Sequence, residues 1–355
     1  MSLALRDGVI GTLQEPLPRL LERLDARGVG AMVILDETGG LIGLMRDSLV
    51  RRKLGGNSVT LPALGEALDR DPPTIREDAL PAEVSELMRD RRSRYAVALD
   101  RFGRPVGLFT AHAIPGVAAI SEAVIMAGGL GSRLRPFTNT VPKPLLMVGE
   151  KPILEVIINH LVRYGIRRIH LAVNYHSEKI KEYFQDGSNH KVEIRYIEEK
   201  EALGTAGALR LLQDRVSDGP LLVMNGDLLT GVNVATLSDV HELEGAAITL
   251  STTPNRVDIP YGVVGAKDMR LEKIEEKPTL TVWINAGIYV LGKRAIDAIP
   301  KEGPADMPSV ITKLMGAGDR VAVFPMRESW LDIGQLHQYQ RAIRDAIRSE
   351  GSEER

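Results

Sequence analysis

The chain has 355 residues, contains no cysteine and carries a formal net charge of −2 at pH 7. Its length suits two domains that each bury a core, and its near-neutral charge gives no field that would favour nucleic acid or an anionic membrane as a partner. The absence of cysteine excludes a disulfide framework and thiol chemistry. The N-terminus lacks the pattern of a signal peptide and no apolar run reaches transmembrane length, so we expect a cytoplasmic α/β protein.

The first part of the chain contains an internal repeat with an offset of 64 residues. The segment from Leu24 to Met45 is similar to the segment from Met88 to Phe109. Each copy predicts a helix, a strand, a tight turn, a second strand and a second helix, with the turns at 36–39 and 100–103. Apolar residues at helical spacing predict the two leading helices, at Leu17 to Leu24 and at Leu80 to Met88.

This doubled unit resembles a pair of CBS motifs, which usually form a disc-like module and often bind adenine nucleotides. The resemblance assigns residues 1–118 to a tandem CBS domain, with repeats at about 1–56 and 62–118. It implies an adenine nucleotide as a candidate ligand of the module. It also favours a homo-oligomer, because CBS modules commonly pair between chains.

The ribose contact of the CBS family is absent from both copies. The family uses a Ser or Thr followed three residues later by Asp, after the last strand. The corresponding residues are Arg46 and Leu49 in the first copy, and Thr110 and Ala113 in the second. Because neither copy offers the carboxylate, dimerisation or scaffolding is as good an interpretation as ligand binding. The segment from Ile114 to Ser121 is rich in breakers and predicts a short linker.

The second domain, at 121–350, begins with an apolar run, Ala123 to Met126, that predicts a buried parallel strand. The run leads into Gly128, Gly129 and Gly131, and glycines after a strand let backbone amides approach a phosphate closely. The Walker A pattern does not fit, because Gly-Ser-Arg stands where Gly-Lys-Ser/Thr is required. Leu134 occupies the place of the third glycine of a dinucleotide fingerprint. Taken alone, the loop is also compatible with a structural turn.

Two cations follow the glycine loop, Arg133 and Lys143, and the latter lies between two prolines that restrict its backbone. Their spacing is too wide for one helix face, so we expect a loop to fold both side chains back over the phosphates. The string GGLGSRLRP, followed by PKPL, resembles the signature of the sugar-1-phosphate nucleotidyltransferases, including mannose-1-phosphate guanylyltransferases. The resemblance assigns nucleotide binding to Ala127, Gly128, Gly129, Gly131 and Ser132, and catalysis to Arg133 and Lys143.

Helices and strands alternate after the loop. We predict helices at Ile153 to Tyr164 and at Ser177 to Phe184, the second with Ser177 as its N-cap, and strands at Ile169 to Val173 and Val192 to Ile197. This alternation indicates a mostly parallel sheet with helices on both faces. With the resemblance, it predicts a Rossmann-like mixed sheet of the nucleotide-diphospho-sugar transferase type, preceded by the α+β CBS pair.

The next motif concerns the nucleobase. Gly204 and Thr205 open a predicted helix, and the resemblance places them near the base. Family members that use uracil or thymine tend to have Gln where Glu199 stands here. Guanine presents two donors on its pairing edge, and an ionised carboxylate accepts from both. Glu199 therefore favours GTP, although a solvated charge in a polar turn is also compatible with the sequence.

A predicted metal site follows the strand from Leu221 to Met224. Asp227 comes just after this strand, at the place where α/β folds position ligand chemistry. It matches the Gly-Asp metal site of the family, which also makes it catalytic, and the resemblance makes Asp332 the second ligand. Carboxylates and phosphate oxygens suit Mg²⁺.

The sugar-phosphate side comes from three further motifs of the family. The resemblance assigns Tyr261 and Gly262 to the sugar, Glu276 to the sugar hydroxyls and Lys277 to the sugar phosphate. Asn285, at the start of a predicted strand, would also contact the sugar. A helix from Gln335 to Ser349 ends the domain, and no hexapeptide repeat follows it.

These expectations describe a nucleotidyltransferase that condenses a nucleoside triphosphate with a sugar-1-phosphate and releases pyrophosphate, with regulation through the CBS pair. The sequence offers no pairing for a covalent intermediate, so catalysis would consist of positioning and charge neutralisation. Two alternatives stay open. One is the same chemistry with UTP, dTTP or CTP, and the other is a non-catalytic sensor of nucleotide or nucleotide sugar gated by the CBS pair.

Overall fold

The structure is a computed structural model, and it describes residues 3–4, 9–54, 61–111, 114, 120–199, 203–212 and 219–353. The first part of the chain combines short strands with amphipathic helices. The strands are β1 (Leu3–Ala4), β2 (Ile10–Thr12), β3 (Ala31–Leu35), β4 (Leu41–Arg46), β5 (Leu68–Asp69), β6 (Thr74–Arg76), β7 (Tyr95–Leu99) and β8 (Pro105–Thr110), and the helices are α1 (Leu17–Arg27), α2 (Asp47–Leu54) and α3 (Pro81–Asp90).

The two predicted copies share a helix followed by a β-hairpin, and the second helix predicted for the second copy lies mostly outside the described residues. The strands form two four-stranded sheets, β2-β3-β4-β5 and β1-β8-β7-β6, so the N-terminal strand joins the sheet of the second copy. In both hairpins the turn aspartate, Asp36 or Asp100, accepts hydrogen bonds from the amides two and four residues later at 2.8–2.9 Å. The two hairpins therefore share one turn geometry, as the predicted repeat requires. Ala113 and most of the predicted linker, 115–119, lie outside the described residues.

The second part of the chain is larger and builds one main sheet. Its strands are β9 (Glu122–Met126), β10 (Met147–Val148), β11 (Lys151–Pro152), β12 (Arg168–Val173), β13 (Glu193–Glu198), β14 (Leu221–Asn225), β15 (Leu228–Thr230), β16 (Ile248–Asp258), β17 (Val263–Lys267), β18 (Arg270–Glu275), β19 (Thr279–Leu291), β20 (Val321–Pro325) and β21 (Trp330–Asp332). Its helices are α4 (Ile153–Arg163), α5 (Ser177–Phe184), α6 (Gly204–Gly207), α7 (Val234–Leu243), α8 (Lys293–Asp297), α9 (Met307–Gly316) and α10 (Leu336–Glu353).

The central sheet has the strand order β13-β12-β9-β14-β19-β16-β20. The pairings are parallel except for those of β19, which runs antiparallel to both of its neighbours. This confirms the predicted mixed, mostly parallel α/β sheet. Because β9 and β14 are parallel and in register from Glu122 to Met126, the loops that follow them emerge side by side at one edge.

Both faces of the central strands β9 and β14 are buried, as is typical of parallel strands covered by helices. Along β9, Ala123 and Ile125 contribute to one hydrophobic cluster and Val124 to another, because successive side chains point to opposite faces. The same alternation occurs along β14, where Leu222 and Leu221 separate in the same way.

One local prediction is wrong. Ser177 is the first residue of α5 rather than its N-cap. The cap position belongs to His176, which has a φ of 52° and whose side chain accepts no capping hydrogen bond. The strand that was predicted to begin at Asn285 begins six residues earlier, at Thr279, because the exposed outer half of β19 pairs with β16. The other predicted strand and helix bounds differ by only a few residues. None of the helices within the described ranges is long and apolar enough to cross a lipid bilayer.

Candidate active site

The glycine loop lies at the carboxyl edge of the sheet, directly after β9. Gly131 adopts a φ of +62°, and a Cβ there would lie 3.0 Å from Thr138 and 3.1 Å from Lys143, so the loop requires glycine at this position. Thr138 closes the loop by donating from its hydroxyl to the Gly131 carbonyl at 2.8 Å. Among the described residues, no acceptor pairs with the backbone amides of Gly128 and Gly129. These donors are therefore available to an anion.

Lys143 approaches the edge of the sheet from the segment that follows the glycine loop. Its ammonium group forms an ion pair with the carboxylate of Asp227, and its side chain is only 12% exposed. Arg133 stands in a short 3₁₀ turn, Ser132–Leu134, and is exposed together with Ser132. The structure therefore brings both predicted cations to the edge of the sheet, with Lys143 in direct contact with a carboxylate.

Asp227 and Asp332 are held together by a small two-stranded sheet. Asp227 precedes β15, Asp332 ends β21, and Leu228 pairs with Asp332 in this antiparallel sheet. The amide of Ile333 donates to the carbonyl of Asp227 at 3.0 Å. Burial raises the pKa of Asp332, the nearby Asp227 carboxylate raises it further, and the charges of Lys143 and Arg133 oppose this shift. The two acids and the two cations thus form one electrostatic cluster.

This pair of carboxylates fits a divalent cation. One carboxylate oxygen of Asp332, Oδ1, is buried and has no hydrogen-bond partner in the described structure. Within the same described ranges, no group of three or more His, Asp or Glu side chains gathers as a preformed metal cage. Mg²⁺ commonly binds through one or two carboxylates together with substrate phosphates, so the donors that are present suit it.

Glu199 lies beside the glycine loop, as the base edge of the site would require. Its Oε2 accepts a hydrogen bond from the amide of Leu203 at 3.2 Å, and its Oε1 is 3.4 Å from the position of a Cβ on Gly128. Burial raises the pKa of Glu199, and the hydrogen bond from Leu203 lowers it in part. Glu199 is therefore a half-buried carboxyl group beside the glycine loop.

Gly204 and Thr205 form a structural junction. Gly204 has a φ of +81°, and a Cβ there would lie 2.4 Å from the carbonyl oxygen of Ala305. The Thr205 hydroxyl accepts from the amide of Met307 at 3.0 Å, at the start of α9. The motif that the sequence assigned to the base therefore also joins α6 to the segment before α9.

The predicted sugar residues stand on an extended arm. Tyr261, Gly262, Glu276 and Lys277 flank the β17–β18 hairpin, and the amide of Lys277 donates to the carbonyl of Tyr261 at 3.2 Å. Tyr261 is 74% exposed. In the described structure no hydrogen bond or ion pair joins these four residues to Lys143 or Asp227.

Asn285 is separate from the arm residues, on the part of β19 that lies near the sheet edge. Its side chain donates to the hydroxyl of Tyr289 at 2.7 Å and accepts from the amide of Gly287 at 2.9 Å. Gly287 has a φ of +71°, and a Cβ there would lie 2.6 Å from the side chain of Asn225. Asn225 ends β14 two residues before Asp227 and is a further candidate for the site, which its position directly before Gly226-Asp227 could have indicated.

Comparisons with known proteins agree with this geometry. Residues 122–349 match the family model described as nucleotidyl transferase, and residues 64–114 match that of the CBS domain. The chain is 33% identical over 248 residues to a UTP–glucose-1-phosphate uridylyltransferase of Synechocystis and 35% identical over 233 residues to a probable mannose-1-phosphate guanylyltransferase of Oryza sativa. These alignments cover 64% and 63% of the chain, and the chain spans 64% of the length of each relative.

A solved structure shares the fold. The crystal structure of HddC from Yersinia pseudotuberculosis complexed with GMP-PN matches with a TM-score of 0.51 and 25% sequence identity. The match covers 64% of this chain and 99% of that one.

Proposed function

The chain belongs to the nucleotidyl transferase family, and on that premise we propose that it condenses a nucleoside triphosphate with a sugar-1-phosphate and releases pyrophosphate. The observation that supports this most is the convergence of the glycine loop, Lys143, Asp227 and Asp332 at the carboxyl edge of one sheet. Free amides, a cation and paired carboxylates are the groups that phosphoryl and nucleotidyl transfer require, because such catalysis consists of positioning and charge neutralisation.

In this proposal the sugar-1-phosphate oxygen attacks the α-phosphorus in line, and pyrophosphate leaves. The loop amides and Arg133 hold the β- and γ-phosphates, and Lys143 contacts the α-phosphate and the incoming phosphate. Asp227 and Asp332 would hold Mg²⁺, which when bound offsets negative charge on the α-phosphate. Because Lys143 forms an ion pair with Asp227, its ammonium group would lie beside the proposed metal site before substrates bind.

We assign GTP as the preferred nucleotide. Glu199 can accept from both donors of the guanine pairing edge while it keeps its hydrogen bond to Leu203, since a carboxylate has about four lone-pair sites. The name of the Oryza relative and the GMP-PN ligand of the HddC structure support the guanine assignment. The second candidate is UTP, which the name of the Synechocystis relative favours.

The remaining assignments also stay proposals. The arm residues Tyr261, Gly262, Glu276 and Lys277 would bind the sugar phosphate together with Asn285. The tandem CBS domain at 1–118 would regulate the catalytic domain at 121–350, and the protein would form a homo-oligomer. Mannose-1-phosphate is the first sugar phosphate to test, with heptose and amino-sugar phosphates next.

The test is pyrophosphate release with Mg²⁺ across a grid of five nucleotides and several sugar-1-phosphates. The Asp227→Asn variant provides the blank, and Asp90→Asn, at an exposed position in α3, provides the matched control. Turnover confined to the GTP row supports the complete proposal. Turnover in another row keeps the reaction and contradicts the role of Glu199, and no turnover in any cell contradicts the enzyme assignment.

A further inference from the structure

The side chain of Arg51, on helix α2, is fully buried between the first part of the chain and the second. Its guanidinium group donates to the carbonyl of Pro325 at 2.7 Å and to both oxygens of Glu328, at 2.9 and 3.1 Å. It also donates to Asp47, one turn earlier in the same helix, at 2.9 Å. The group lies 4.3 Å from the ring centroid of Phe324. Arg51 is therefore held in one orientation by contacts on several sides.

Glu328 also accepts hydrogen bonds from the backbone of two segments of the second domain. One carboxylate oxygen accepts from the amide of Asn233 at 2.9 Å, and the other accepts from the amide of Arg327 at 3.0 Å. Burial raises the pKa of Glu328, but the charge of Arg51 and the hydrogen bonds outweigh it and hold that pKa below its ordinary value. A single carboxylate thus joins the segment after β15 to the segment before β21.

These two segments are one end of the small sheet that holds the candidate metal ligands. At this end the amide of Gly231 donates to the carbonyl of Ser329 at 3.0 Å. At the opposite end Leu228 pairs with Asp332, directly beside Asp227. Each strand is three residues long, which corresponds to roughly 10 Å. The sheet β15–β21 therefore connects Glu328 to the two aspartates by a short and hydrogen-bonded path.

We propose that Arg51 and Glu328 are positioning residues of the active site: by fixing one end of the β15–β21 sheet, they set the separation of Asp227 and Asp332 at the other end. The inference rests on the proposed function, because it takes these aspartates as the metal ligands. It assigns the first CBS-like repeat a hydrogen-bonded connection to the catalytic centre through Glu328 and the β15–β21 sheet. A change in the docking of helix α2 alters the affinity of the site for a divalent cation.

A second buried ion pair between the two parts of the chain provides the matched control. Arg46, at the end of β4, donates to Asp239 at 2.6 Å, and the side chains are 8% and 2% exposed. Asp239 lies in the middle of helix α7, six residues after Asn233, and within the described structure it forms no hydrogen bond to the β15–β21 sheet. We therefore expect substitution of this pair to disturb the docking of the two parts without removing the contact that Glu328 makes at the end of that sheet.

The experiment measures Mn²⁺ binding to the full chain without substrates, by the enhancement of water proton relaxation. The variants are Arg51→Lys, Glu328→Gln and the control Arg46→Lys. Arg51→Lys keeps the positive charge but loses the bidentate contact with the carboxylate of Glu328. Asp227→Asn identifies the part of the binding that belongs to the site. We expect Arg51→Lys and Glu328→Gln to weaken Mn²⁺ binding about 10-fold, as is typical when a supporting contact of a metal ligand is lost. We expect Arg46→Lys to leave it unchanged.

Steady-state kinetics and thermal unfolding complete the test. The two positioning variants should lower kcat and raise the Mg²⁺ requirement while KM for the sugar phosphate stays the same. Wild-type Mn²⁺ affinity in folded Arg51→Lys and Glu328→Gln would overturn the proposal, and so would an equal loss in Arg46→Lys. A wild-type chain that binds Mn²⁺ through Asp227 but releases no pyrophosphate contradicts the proposed function, whereas the Mn²⁺ comparison still decides the role of Arg51.

Discussion

At the scale of single residues, the site depends on charges that compensate one another. Lys143 contacts Asp227, and the burial of Asp332 beside Asp227 raises its pKa while the two cations oppose that shift. Groups whose pKa is perturbed by burial and by specific charged partners are typical of functional sites. The sequence singled out all four residues, because Arg133 and Lys143 follow the glycine loop, Asp227 follows a buried strand, and the family resemblance adds Asp332. It could not predict the direct contact of Lys143 with Asp227, which is set by the path of the loop.

Loss of one charge from this cluster should impair turnover without unfolding the protein. Lys143→Ala and Asp227→Asn should each lower kcat by roughly 10²–10³, because a preorganised charge near the transferred phosphoryl group is removed. Lys301→Ala, at an exposed position, is the matched control. The measurement is pyrophosphate release, with circular dichroism to verify folding. Near-normal turnover in a folded variant would show that the residue has another role.

Glu199 should control the choice of base. In Glu199→Gln the side chain becomes a donor as well as an acceptor, so it no longer matches two donors of guanine. We expect the ratio of kcat/KM for GTP to that for UTP to fall by about 10-fold or more, the size of a hydrogen bond to a charged group. Glu198→Gln, which alters the adjacent residue that pairs with Lys181, should leave this ratio unchanged. An unaltered ratio in Glu199→Gln would exclude contact with the base.

His241 gives the protein a specific sensitivity to acid. The Nδ1 atom of its ring shares a hydrogen bond of 2.9 Å with the hydroxyl of Thr249. Burial lowers the pKa of His241 from 6.5 to about 4. Between these values the unfolded chain binds the proton and the folded chain does not, so stability should be lost as the pH falls from about 6.5 to about 4. The full loss is roughly 3 kcal/mol.

The measurement is urea denaturation of wild type and His241→Gln across that range of pH. The variant should lose less stability on acidification than the wild type, whereas His337→Gln, at an exposed position, should follow the wild type. Equal pH dependence of wild type and His241→Gln would mean that His241 does not titrate on unfolding.

At the scale of elements, hydrophobic periodicity predicted the main helices and strands, and parallel alternation predicted the sheet. Two features of the second domain were not predicted by these patterns. The small sheet β15–β21 consists of three-residue strands that are far apart in sequence, so no local pattern indicates their pairing. The long arm of β16 and β19 is exposed along its outer half, and its strands there lack the burial pattern that identifies a sheet strand. Both features depend on contacts between distant segments.

Gly204 should contribute to the stability of the fold, in addition to its proposed role near the base. Gly204→Ala places a Cβ 2.4 Å from the carbonyl of Ala305 at a φ of +81°, and we expect a loss of more than about 1 kcal/mol in the free energy of unfolding. Gly245→Ala is the matched control, because that residue also has a positive φ but has no atom within 4 Å of its Cβ position. Urea denaturation gives both values. A loss in Gly204→Ala no greater than that in Gly245→Ala would exclude the close approach as its cause.

At the scale of the whole molecule, the sequence predicted two domains joined by a short linker, but not the buried ion pairs between them. Asp47 and Arg51 have the spacing of an ordinary exposed ion pair on a helix, and Glu328 lies in a polar loop, so nothing local distinguishes them. Their burial arises only because helix α2 packs against α7 and β20. In the first repeat Arg46, at the position of the family's ribose contact, binds Asp239 of the second domain. The docking surface thus includes the position at which the CBS family contacts ribose, a contact that the sequence of this repeat lacks.

The most direct test of the central claim follows the fate of the nucleotide phosphates. The chain is incubated with Mg²⁺, mannose-1-phosphate and GTP labelled with ³²P at either the α- or the γ-position, and the products are separated. Attack at the α-phosphorus predicts that the α-label appears in the nucleotide sugar and the γ-label in pyrophosphate, with neither product in Asp227→Asn. Transfer of the γ-label to the sugar phosphate, or release of the γ-label as free phosphate, would contradict the account.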